Sequence, residues 1–124
     1  MIDRLIQYSK FWRVLCAGLT ALVLWLALIP AASAPSGLGW DKLNHAGAIA
    51  VITGLAYLSL QSRSGAVSWA FLYGTFLGIL IEILQATLTT TRFAEWSDVT
   101  ADIVGAGFAW IVIKIYQYRT TARL

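Results

Sequence analysis

Three carboxylates and an amide occupy positions where a chain this apolar would not ordinarily carry them. Glu82 and Gln85 lie near the end of one long apolar run, Asp98 and Asp102 open the next, and Arg92 sits in the short polar segment between. An ionisable side chain inside a segment able to span a bilayer carries an apparent cost on the order of 3 kcal/mol at the centre of the membrane, so by default it marks a site. A second group, Asp41, Lys42 and His45, stands at the start of an earlier apolar run, with His45 one helical turn beyond Asp41. The chemistry open to these types is specific. Carboxylates and an imidazole can accept or relay a proton, which makes Glu82, His45 and Asp98 the candidate acid–base residues. A guanidinium presents a planar fork to phosphate or carboxylate, so Arg92, joined by Lys42, Gln85, Asp41 and Asp102, forms the candidate set for binding an anionic headgroup.

Each of these residues also has a structural reading. Asp41, Ser97 and Asp98 stand where helix caps belong. Arg92 can serve only to neutralise Glu82 or Asp98. Gln85 can join helices through a hydrogen bond, His45 can be a hydrogen-bonded packing residue, and Glu95 reads as a solvated loop charge. No compact ligand spacing such as HExxH occurs, so no metal is expected, and no motif calls for a cofactor. A single cysteine, Cys16, excludes a disulfide framework. The net charge of +3 is spread around apolar segments, with no basic cluster interleaved with aromatics, which argues against a nucleic-acid partner.

The elements that must position these groups are helices. The chain of 124 residues has room for one domain, and only 12% of it is charged against 59% hydrophobic, which places it in the membrane class. Apolar runs and breakers predict four helices over 11–30, 42–60, 66–88 and 98–118, an all-α integral membrane four-helix bundle. The stretch before Pro35 also resembles a secretory signal, with Ala32-Ser33-Ala34 as its cleavage site, but its length favours retention as a span. The segment 61–65 is a tight turn, so the helices beside it are antiparallel neighbours. Small residues line up with the polar ones. Gly74, Gly78, Glu82 and Gln85 share one stripe, and Asp98, Asp102, Gly105 and Ala109 share another, which predicts that both stripes face other helices. Leu24 in the first helix is expected to face lipid. Seven of the nine basic residues fall at one set of helix ends, leaving Lys42 and Arg92 at the other, so the positive-inside rule predicts both termini in the cytoplasm. Trp40 and Trp96 would then mark the outer interface, and Trp12 and Trp69 the inner. All the candidate residues fall on the outer side, where membrane lipids, a lipid-linked wall precursor or a glycopeptide could reach them. A homo-oligomer stays open.

The pattern Asp41-Lys42-x-x-His45, then Glu82-x-x-Gln85, then Arg92 followed by Ser97-Asp98 and Asp102-x-x-Gly105, resembles the VanZ-like family of small membrane proteins over residues 41 to about 109. Three features depart from that pattern: Asp102 stands where the family often has Asn, Thr90-Thr91 replaces a Pro-Gly, and an aromatic common near Ile49 is absent. The resemblance implies a cell-envelope location, the same set of site residues, and an association with low-level teicoplanin resistance. It implies no particular reaction. Two other readings of the residues stand beside it: a membrane enzyme with Glu82 or His45 as general base, and a structural module whose polar residues lock its helices.

Overall fold

The computed structural model describes residues 8–30, 41–90 and 94–123. They form four helices: α1 (Ser9–Leu28), α2 (Asp41–Leu60), α3 (Ala66–Leu88) and α4 (Trp96–Ala122). All four are long and apolar enough to cross a membrane. The outward surface matches that character, because Val14, Trp25, Val51, Phe76, Ile83 and Phe108 are each more than half exposed. A water-soluble bundle of this size would not leave so continuous an apolar exterior uncovered. The chain is a multi-pass membrane protein.

The ends of the helices follow from local chemistry. Pro30 disfavours the helical region for the residue before it. Ile29 is accordingly extended (ψ 155°), and α1 closes at Leu28, short of the predicted 30. Between α2 and α3 the turn closes through Arg63 N–H donating to the Leu60 carbonyl at 2.8 Å and through Gly65 at φ 72°. That left-handed conformation is the one place among the described residues where glycine's freedom is used by the backbone. At the start of α4 the expected caps are displaced. Glu95 holds the extended N-cap position and its carbonyl accepts from Asp98 N–H, so Ser97 and Asp98 lie inside the first turn instead. The last helix runs on to Ala122, beyond the predicted 118, with Thr120 and Thr121 bonding back to carbonyls four residues earlier.

The helices alternate up and down, with α2 at the centre against α1, α3 and α4. Its buried face is Ile49, Ile52, Thr53 and Ala56, which meets Cys16 of α1, Ala70 and Leu77 of α3 and Ala106 of α4. Both predicted stripes are buried: Gly74, Gly78, Glu82 and Gln85 on α3, and Asp98, Asp102, Gly105 and Ala109 on α4. Glycine is needed there for space. A Cβ on Gly78 would fall 2.6 Å from the Asp102 Cβ, one on Gly74 would strike the Thr53 hydroxyl, and one on Gly105 would strike the backbone carbonyl of Ala46. These close approaches supply the van der Waals contact that associates helices in lipid. Leu24 does not face lipid as expected. It packs against the core cluster beside Val23 and Ala27, while Leu22 points outward.

The alternation places Lys10, Arg13, Arg63, Lys114, Arg119 and Arg123 at one end of the bundle and Lys42, Glu82, Glu95, Asp98 and Asp102 at the other. Reporter fusions at Ser36 and at Leu124 should therefore read opposite sides of the membrane. Both on one side would break the up-down topology.

Candidate functional site

Glu82 lies six residues before the end of α3 and Asp102 six residues after the start of α4, each ~9 Å along its axis at 1.5 Å per residue. His45 lies four residues into α2. These neighbouring depths are brought together laterally by the glycine contacts one turn below Glu82 and Asp102. Gly78 admits Asp102 beside α3, close to Glu82. Gly105 admits the α2 backbone at Ala46, which carries His45 to α4. The result is a three-helix cluster in which one ligand-capable atom each of His45, Glu82 and Asp102 lies within 4.8 Å of the others. His45 Nδ1 stands 3.6 Å from Asp102 Oδ1. Asp102 is 1% exposed and Glu82 4%.

The two buried carboxylates are poorly satisfied. Glu82 Oε2 accepts the backbone N–H of Glu95 at 2.9 Å, but Glu82 Oε1 and both oxygens of Asp102 have no hydrogen-bond partner among the described residues. Unmet buried acceptors of this kind are rare and call for an explanation. Above them lies a second, satisfied layer. Lys42 Nζ donates to Asp98 Oδ1 and, at 2.9 Å, to Glu95 Oε2, which Ser97 also meets at 3.2 Å. The Lys42 ammonium holds the Glu95 carboxyl below the usual carboxylate range, with the Ser97 hydroxyl adding to the effect. Lys42 is thus engaged by two carboxylates, and Glu95, read from sequence as a solvated charge, is the residue that ties the α3–α4 connection to both layers. Its Oε2 meets Lys42 while its N–H holds Glu82. Nothing in its sequence position signals that role.

Of the other candidates, Gln85 Nε2 donates to the Ala27 carbonyl of α1 at 3.1 Å, the interhelical use anticipated for it. Asp98 is buried one turn above Asp102. Asp41 begins α2, while its side chain, together with Arg92, lies outside the described residues. Beside Glu82, a groove of about 660 Å³ opens between α3 and α4. Ile79, Ile83, Val99 and Ile103 line it, and Glu82, Glu95 and Trp96 stand at its polar end. Fold and site together define a four-helix membrane protein with a buried acidic cluster at one end. Comparison of the chain with protein-family models, with curated proteins and with solved structures finds no match.

Proposed function

We propose that the chain is a VanZ-like protein of the bacterial cell envelope, with both termini cytoplasmic, whose acidic end faces outward and engages the headgroup of a lipid-linked or otherwise amphiphilic molecule, contributing to glycopeptide resistance. The observation that carries this reading is the groove between α3 and α4. Its walls are aliphatic along the lipid-facing surface, as an acyl or prenyl chain requires, and it ends at Glu82, Glu95 and Trp96. A bound amphiphile would lay its tail along Ile79, Ile83, Val99 and Ile103 and bring its headgroup level with the polar layer. Arg92, between α3 and α4 in the sequence, would supply the planar donor fork for a phosphate or carboxylate on that headgroup.

Native mass spectrometry of the purified chain, with phosphatidylglycerol and phosphatidylcholine in competition, tests the reading. The anionic lipid should be retained preferentially. Val99→Trp, which fills the groove, should lower lipid retention severalfold with helical content unchanged. Arg92→Lys should weaken the preference for anionic lipid, because Lys keeps the charge but loses the fork. Equal retention of both lipids, or full retention by Val99→Trp, would reject it.

A further inference from the structure

We propose that His45, Glu82 and Asp102 bind one divalent transition-metal ion of the Zn2+ or Mn2+ class. The reading goes beyond the headgroup proposal and does not require it. Three observations carry it. One nitrogen and two carboxylate oxygens, each from a different helix, converge within 4.8 Å. Both carboxylates are more than nine-tenths buried. Among the described residues, three of their four oxygens have no hydrogen-bond partner, and the His45 ring stands 3.6 Å from Asp102.

Charge balance points the same way. The basic side chain at this end of the bundle among the described residues, Lys42, is already shared by Asp98 and Glu95. Two further carboxylates in a water-poor interior are stable as anions only with a compensating positive charge, and a single divalent ion supplies two. The geometry is close to what an ion would need. Metal–ligand distances of about 2.0–2.2 Å put ligand atoms roughly 3–3.5 Å apart, so the cluster must contract by a little over about 1 Å. Donor chemistry narrows the class: one imidazole with two carboxylates suits Zn2+ or Mn2+ better than Ca2+, which prefers six to eight oxygens. Three protein ligands also leave a coordination position open. Sequence spacing gave no warning of this set, because the ligands are 37 and 20 residues apart along the chain, on α2, α3 and α4.

The test is ion binding by the full chain in detergent after treatment with a chelator. Calorimetry with ZnCl2 and with MnCl2, and elemental analysis of the desalted protein, should give one ion per chain. His45→Gln, Glu82→Gln and Asp102→Asn should each weaken binding by at least about 100-fold, as loss of a direct ligand exceeds the 10–100-fold cost of losing an outer-shell partner. Each variant should keep the wild-type circular dichroism spectrum. Arg119→Gln, exposed at the opposite end of the bundle, should stay within a few-fold of wild type. Failure of the wild-type chain to take up either ion at millimolar concentration would overturn the proposal. Binding that Asp102→Asn leaves unchanged would overturn it equally. Ion binding measured without lipid, alongside lipid retention measured in chelator, separates failure of this site from failure of the headgroup reading.

Discussion

Gly105→Ala is expected to destabilise the bundle, and Gly105→Leu to prevent its assembly, while Gly107→Ala two residues away is neutral or mildly stabilising. A Cβ at Gly105 would collide with the carbonyl of Ala46, a backbone group that cannot swing aside, whereas a Cβ at Gly107 meets nothing within 4 Å. Overpacking of this kind costs about 1–3 kcal/mol, and more where backbone must move. An added methyl in open space recovers up to about 1 kcal/mol of helix propensity. The readout is the thermal transition of the detergent-solubilised protein, followed by circular dichroism and by the monodisperse fraction on gel filtration. Because the same contact delivers His45 to α4, Gly105→Ala should also lower ion affinity without touching a ligand. Equal transitions for the two alanine variants would show that α2 and α4 do not rely on this approach.

The opposite sign is expected at Asp102. Measured in chelator, Asp102→Asn should raise the stability of the protein by about 1–3 kcal/mol, because the amide removes a buried charge whose penalty exceeds that of a neutral unmet group. The carboxylate is 1% exposed, packed over Gly78, and neither oxygen accepts a hydrogen bond from the described residues. An amide of nearly the same shape removes the charge and keeps the volume. A site built for a ligand is held at a cost to the empty fold, whereas a polar residue kept only to lock helices would contribute to it. Chemical or thermal unfolding of wild type and Asp102→Asn, with and without ZnCl2, decides between these roles. Loss of stability in chelator would assign Asp102 to helix locking and would favour the structural-module reading of the whole cluster.

The architecture was legible because its signals are local. Apolar runs long enough to span, broken by Pro30, by the 61–65 turn and by the polar residues after Leu88, leave little choice but four helices. The two small-residue stripes were legible for the same reason, since helical periodicity alone puts Gly74, Gly78, Glu82 and Gln85 on one face. Leu24 was misread because the first helix has an almost uniformly apolar surface. Nothing in its composition distinguishes the side turned toward Val23 and Ala27 from the side turned toward Leu22. The N-cap of α4 was misread by two or three residues because Glu95, Ser97 and Asp98 all suit a helix start, and the choice among them depends on where Lys42 and Glu82 hold Glu95.

The sequence by itself thus determined the helices, their alternation, the separation of basic from acidic ends, and which residues are too polar for their surroundings. Each is set by hydropathy, by periodicity or by the conformational limits of proline and glycine, all of which act over a few residues. Only the tertiary structure decided how the polar residues divide among themselves. Lys42 was free by sequence to serve Asp41, Glu82, Asp98 or a ligand. The packing of α2 against α4 places it between Glu95 and Asp98. That leaves Glu82 and Asp102 below it facing His45, with one Glu82 oxygen and both Asp102 oxygens unmet among the described residues. The physical reason is that helix periodicity sets which face a side chain shares and how deep it lies. Its partner across the bundle depends on interhelical distance, and here that distance is set by glycines that touch other helices at Asp102 and Ala46.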